Sequence, residues 1–219
     1  MTADMTADTK PPSVTLVQGR VVGTQLKDTF PQPVDAFLGV PYALPPVGDR
    51  RFRPAFKVPS SSDTIYASKY GPVAPGKALL SGGPKLVQSE DCLTANIFRP
   101  AGSNDTGKLP VAVYLHGGAF NRGSAAMHNT ASMVAWSERP FVAVSFNYRI
   151  GALGFLPSSL SQREGLLNLG LRDQVHLLQW VQENIANFGG DPTNVTLFGL
   201  SAGAHSVTRP VSDFSNISF

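Results

Sequence analysis

The chain has 219 residues, 42% of them hydrophobic and only 15% charged, with 18 Lys and Arg against 15 Asp and Glu for a net charge of +3. A charged fraction below the roughly 25% of an ordinary soluble chain argues against disorder, and the scattered basic residues form no run for a nucleic acid or other polyanion. No window resembles a membrane span, which needs about 20 apolar residues, and the polar stretch Met1 to Lys10 lacks the apolar run of a secretion signal.

In chain order, the doubled Met-Thr-Ala-Asp at the start reads as part of a flexible tail over residues 1–13. Strand-like residues follow Pro11-Pro12 from Val14 to Val22, and Phe37 to Val40 is a second short apolar run. From Gly39 to Pro54, four prolines forbid a helix or a central strand and predict an ordered surface loop. Residues 59–87 show no usable periodicity. Leu93, Ala95 and Ile97 alternate, predicting a strand ended by Pro100.

Leu109 to Leu115 is apolar on both faces and suits a strand buried between two layers of helices. His116-Gly-Gly-Ala-Phe120 follows it directly. Thr130 to Ser137 predicts a short helix, and Phe141 to Phe146 another apolar strand. Asn147 to Leu156 turns away on two glycines. Leu171, Val175, Leu178, Val181, Ile185 and Phe188 recur at steps of three and four, predicting a long helix over 169–188 that Gly189-Gly190-Asp191-Pro192 stops. Strand, helix, strand, long helix, strand predicts right-handed crossovers in an α/β sheet, whose ligands bind at the carboxyl ends of the strands.

The last strand, Val195 to Phe198, runs into Gly199-Leu-Ser-Ala-Gly203 and then small residues that suit a helix start. Gly-x-Ser-x-Gly between a strand and a helix reads as a nucleophile elbow: the turn holds Ser201 in a strained conformation with its hydroxyl above the strand end. The N–H of Ala202 then points where an oxyanion would develop, and the amides near Gly118 and Ala119 could complete the hole. Either motif alone could be an ordinary glycine turn. Together, after successive buried strands, they specify one site.

These residues resemble the type-B carboxylesterase/lipase family of α/β-hydrolases, with a likeness to its fungal esterases. The matching stretches are Gly39-Val-Pro-Tyr-Ala with Arg51-Phe52, Ser89-Glu-Asp-Cys-Leu, His116-Gly-Gly-Ala-Phe and Asn147-Tyr-Arg-Ile-Gly-Ala-Leu-Gly-Phe-Leu. Asn168-Leu-Gly-Leu-Arg-Asp-Gln174, Phe188-Gly-Gly-Asp-Pro192 and the elbow complete the series, in the family's order. The resemblance implies an α/β-hydrolase domain over 14–207 with a mostly parallel central sheet. It implies Ser201 as nucleophile toward a small-molecule carboxylic ester, and Gly118, Ala119 and Ala202 as oxyanion donors. It also implies structural ion pairs Arg51–Glu90 and Arg149–Asp173, and needs no metal or organic cofactor. Family members pair the cysteine matching Cys92 with one near the position of Ala74; that partner is absent here, so Cys92 is expected as a free thiol, consistent with a cytoplasmic location. Leu200 stands where many members have Glu.

The resemblance places the triad acid and histidine far downstream of the serine, and few residues follow Ser201. Residues 208–219 no longer resemble the family and read as a divergent tail, with Pro210 ending the nucleophile helix; Asp213 there has no evident role. Of the histidines present, His205 sits one helical turn after Ser201 but directed away from its hydroxyl, His116 is expected to shape the oxyanion loop, and His128 and His176 look like ordinary polar positions. The Asn-x-Ser/Thr triplets at Asn104, Asn194 and Asn216 read as chance matches. The expectation is the nucleophile-bearing part of a serine ester hydrolase, with a noncatalytic fragment, whose last strand is left as an exposed edge, as the alternative.

Overall fold

In chain order, β-branched and apolar runs become strands wherever they can alternate between two buried layers, and a computed structural model describes them over residues 10–27, 30–77, 86–103 and 108–208. The strands are β1 (Ser13–Leu16), β2 (Gly19–Val22), β3 (Thr24–Leu26), β4 (Val34–Pro41), β5 (Thr64–Tyr66), β6 (Thr94–Pro100), β7 (Leu109–Leu115), β8 (Val142–Phe146) and β9 (Gly190–Gly199). The helices are α1 (Thr130–Ala135), α2 (Gly151–Phe155), α3 (Ser159–Arg163), α4 (Leu169–Asn184) and α5 (Ala202–Thr208). The first nine residues, the triplets at Asn104 and Asn216, and the tail beyond Thr208 with Pro210 and Asp213 lie outside the described residues.

Two sheets form. The smaller has the order β1-β2-β5; the larger has the order β3-β4-β6-β8-β7-β9. The single apolar stretch Val14 to Val22 is in fact a hairpin, broken where Gly19 takes a φ of +131°. In the large sheet, β3, β4, β6 and β8 pair antiparallel, whereas β8, β7 and β9 are parallel. The expected parallel pairing is thus confined to the half that carries the glycine motifs. The sheet is mixed, with helices packed on both faces, the arrangement the resemblance implies except for its antiparallel half.

Side-chain alternation divides the interior in two. On one face Ile97, Val113, Val144 and Phe146 meet Leu177, Leu178 and Val181 of α4, and Ile185 and Phe188 of the 3-10 turn that extends it. On the other face Ala36, Phe98 and Ala143 meet Ala131, Val134 and Ala135 of α1. Gly189 ends the long helix in the left-handed region, at φ +85°. Burying each such Leu, Val or Phe contributes about 1.5–3 kcal/mol, so the α4 stripe fixes that helix on the sheet. The stretch Asn147 to Leu156, read as a turn, instead contains the short helix α2.

The crossover from β7 to β8 passes through α1, and the crossover from β8 to β9 passes through α4 and lands on the other side of β7. A change in direction of this kind opens a crevice at the carboxyl ends of the strands involved. β9 is the outermost of the described strands on that side.

Candidate active site

Register builds the site. β7 and β9 are parallel, with Tyr114 opposite Phe198 and Leu115 opposite Gly199. The two residues that follow on each strand therefore emerge side by side, Gly117 beside Ser201. Any Cβ at Gly117 would collide with the Leu200 carbonyl oxygen and stand 3.2 Å from the Ser201 Cβ, so only glycine fits. Gly203 is constrained from below: its Cβ would meet the Leu115 carbonyl oxygen, which lets the start of α5 lie directly on the end of β7.

Ser201 is exposed and has a φ of +55°, an uncommon conformation for a residue with a side chain. It is held on both sides, by the end of β9 and by α5, where Gly203 N–H donates to Leu200 O at 2.9 Å and His205 N–H to Ser201 O at 3.0 Å. Opposite it, Gly118, Ala119 and Phe120 have φ values of +115°, +51° and +57°. The Gly118 carbonyl accepts from the N–H groups of Asn121 and Arg122, both at 3.1 Å, which closes the loop on itself. Among the described residues nothing accepts from the N–H groups of Gly118, Ala119 or Ala202. Ala202 is the first residue of α5, where backbone donors have no partner within the helix. Three backbone donors without an acceptor thus lie in the two turns that meet where Gly117 approaches Leu200 and Ser201.

His116 is buried beneath this loop, 1% exposed, and its Nδ1–H donates to the Gly117 carbonyl at 2.8 Å. Burial holds its pKa down at about 4, so the ring is neutral. It stacks on Tyr148, ring centroids 4.2 Å apart and 15° from coplanar. His205 is exposed on α5, and His128 packs edge-on against Tyr114. Among the described residues no side chain hydrogen-bonds the Ser201 hydroxyl.

Four further residues form two ion pairs away from the serine. The Arg149 guanidinium clamps Asp173 at 2.8 and 2.6 Å, its backbone N–H adds a 3.1 Å bond to the same carboxylate, and its remaining arm donates to Arg53 O at 2.7 Å. Burial opposes the charge on Arg149, but the bonds and charge of Asp173 outweigh it and raise its pKa. The pair ties the end of β8 to α4. Arg51 and Glu90 form an exposed bidentate pair at 2.5 and 2.6 Å. Cys92 is a buried free thiol whose pKa burial pushes up to about 12. Among the described residues no group of three or more His, Cys, Asp or Glu could hold a metal ion, and no helix is long and apolar enough to cross a membrane.

Sequence reasoning missed Gly117 as the residue that lets loop and elbow touch, and Tyr148 as the partner of His116. Gly117 is recoverable from register arithmetic, since it lies as far past Leu115 as Ser201 lies past Gly199. Tyr148, 32 residues from His116, leaves no local signal.

The profile of the Carboxylesterase family matches residues 10–215. The chain is 46% identical over 192 residues to secreted lipase 4 of Gibberella zeae, covering 87% of this chain and 34% of that protein. It is 40% identical over 210 residues to liver carboxylesterase 1 of Oryctolagus cuniculus, covering 90% and 36%. Among solved structures, Aspergillus niger EstA superposes with a TM-score of 0.80 at 41% identity, covering 90% of this chain and 37% of the other. A thermophilic pNB esterase gives 0.79 at 40% identity, covering 89% and 40%. The chain spans about a third of the length of these curated relatives.

Proposed function

The chain belongs to the carboxylesterase family, and on that premise we propose that it carries the nucleophile and oxyanion-binding part of a serine hydrolase acting on small-molecule carboxylic esters. The observation that supports this reading is the contact of Gly117 with the turn of an exposed serine at positive φ, in two turns whose N–H groups at Gly118, Ala119 and Ala202 have no acceptor among the described residues. In the proposed reaction Ser201 Oγ attacks the ester carbonyl carbon and its proton passes to a base. The carbonyl oxygen, now negative, accepts from Gly118, Ala119 and Ala202, a kind of interaction in which one donor is worth about 3–4 kcal/mol of barrier. Collapse expels the alcohol, which takes up a proton, and leaves an acyl-enzyme. Water then adds to the acyl carbon, releasing the acid and restoring Ser201.

Arg149–Asp173 and Arg51–Glu90 are assigned structural roles, since neither pair contacts the serine. The site proposed here supplies nucleophile and oxyanion donors; the acid and histidine of the family's triad are proposed to lie beyond Ser201. A second reading, a chain without hydrolytic turnover, is favoured by one observation: no imidazole among the described residues bonds the Ser201 hydroxyl. A cytoplasmic location is proposed on the unpaired thiol of Cys92; cell fractionation tests it against the secreted state named for the Gibberella relatives.

The test is hydrolysis of a short-chain chromogenic ester by the 219-residue chain beside Ser201→Ala, with size-exclusion chromatography of both. The proposal expects a monodisperse protein whose turnover disappears in the variant. Equal rates from both proteins favour the second reading.

A further inference from the structure

The peptide carbonyl of His116 lies at a three-way junction. It belongs to the residue that directly follows β7, it is 3.0 Å from where a Cβ on Gly203 of α5 would stand, and it accepts a hydrogen bond from the Tyr148 hydroxyl at 2.8 Å. The Tyr148 ring lies on the imidazole of the same residue, and that imidazole donates to the next carbonyl, Gly117 O. Both residues are buried, at 0% and 1% exposure. Two successive carbonyls at the root of the oxyanion loop are thus fixed by one aromatic pair. A peptide plane is rigid, so fixing the oxygen of one residue fixes the N–H of the next. Holding Gly117 O therefore orients Gly118 N–H, one of the three free donors.

We propose that Tyr148 is a positioning residue of the oxyanion hole, which acts through His116 to register the loop after β7 against the nucleophile helix α5. This rests on the oxyanion role given above to Gly118, Ala119 and Ala202. Among the described residues Tyr148 has no hydrogen bond or ring contact with the serine or the three donors; its effect passes through the His116 carbonyl and the stacked ring. The neutral imidazole is part of the device. With Nδ1–H committed to a carbonyl, Nε2 carries the lone pair, and the face of the ring is free to lie on the phenol. Tyr148→Phe keeps the stack and removes only the O–H···O bond, so it separates positioning from packing.

The experiment has two arms on the full chain. The first follows amide exchange at Asn121 and Arg122, which bond the Gly118 carbonyl and so report the loop, against amides of β7 and β8. Loss of one buried hydrogen bond weakens local closure by roughly five- to tenfold, so in Tyr148→Phe these two amides should exchange about that much faster while the strand amides do not change. The second arm measures labelling of Ser201 by an uncharged fluorophosphonate ester, whose phosphoryl oxygen takes the place of the oxyanion. Labelling should slow about tenfold in Tyr148→Phe and vanish in Ser201→Ala.

Unchanged exchange at Asn121 and Arg122, or acceleration spread equally over β7 and β8, overturns the positioning role. If the unmodified chain is not labelled at all, the hydrolase reading fails for this chain, and the exchange arm alone still decides whether Tyr148 sets the loop.

Discussion

β6 and β9 are both strands of the same sheet, and they treat their residues in opposite ways. β6 buries every residue from Thr94 to Arg99, including the polar side chains of Thr94, Asn96 and Arg99, whereas β9 buries only Gly190 and leaves Val195, Leu197 and Phe198 partly open. In β6 two of these are paired, Asn96 Oδ1 accepting from Gly39 N–H at 3.0 Å and Arg99 facing Asp35 across the ladder at 3.4 Å with its guanidinium over Phe37, while the Thr94 hydroxyl has no partner among the described residues. In β9 the informative feature is the end of the strand, where the backbone turns into Ser201. β6 lies inside the packed sheet, and the end of β9 carries the proposed chemistry. Stability and reactivity should accordingly respond to different substitutions.

The largest expected effect lies on the β6 side. Asp35→Ala removes the carboxylate that faces Arg99 across the ladder and accepts from Gln25 Nε2, and losing one partner of a buried pair costs about 3–5 kcal/mol. Denaturant unfolding should show this loss. Ser201 labelling, measured well below the shifted midpoint, should not change. If labelling fails while the protein is still folded, the division between the two halves is wrong.

Next is a pH effect at the junction of loop and sheet. His116 has a folded-state pKa of about 4 against 6.5 when free, so the unfolded chain binds more protons between these values. The stability contributed by the neutral ring is therefore present above pH 6.5 and lost as pH falls toward 4, about 3 kcal/mol over the window. The groups around the ring are Tyr148, stacked on it, and His128, whose charge works in the same direction. Unfolding curves between pH 7 and pH 4 should show the loss, and His116→Phe should flatten that slope; an unaltered slope contradicts the assignment.

On the β9 side, Gly117→Ala puts a Cβ into the Leu200 carbonyl. Overpacking of this kind costs about 1–3 kcal/mol, and here the loop rather than the core must give way. Labelling of Ser201 should fall by more than tenfold with a smaller loss of stability than in Asp35→Ala. The smallest effect is expected for Thr196→Lys, an exposed position on the outermost described strand of that side: stability within about 0.5 kcal/mol of the parent, with less self-association in sedimentation. Greater self-association would show that β9 is not the sticky edge.

Much of this arrangement was legible in the sequence. β7 and β8 are continuous apolar runs and α4 has a strong three-four spacing, so burial on two faces or one face dictates each. The elbow was legible because Gly199, Ser201 and Gly203 encode a backbone conformation locally. Other features depend on distant partners. The antiparallel pairing of β4, β6 and β8 depends on register across separate segments, and the buried Asn96 and Arg99 look like solvent positions until Gly39 and Asp35 are placed beside them. β5, a three-residue strand parallel to β2, lies where Ser, Gly and Pro hide any period. The His116–Tyr148 stack joins the two motifs through space alone. For the candidate site, the turn at Ser201 was readable but its contact with Gly117 was not, since it follows from how β7 and β9 align.

The central claim is that β7 and β9, by their register, bring Gly118, Ala119 and Ala202 around a charge forming on a group bound to Ser201. A crystal structure of the chain after reaction with a fluorophosphonate ester tests it directly. The account predicts phosphorus bonded to Ser201 Oγ, with the phosphoryl oxygen about 2.7–3.1 Å from the N–H nitrogens of those three residues. A phosphoryl oxygen turned to solvent, or a label on another residue with Ser201 free, would contradict it.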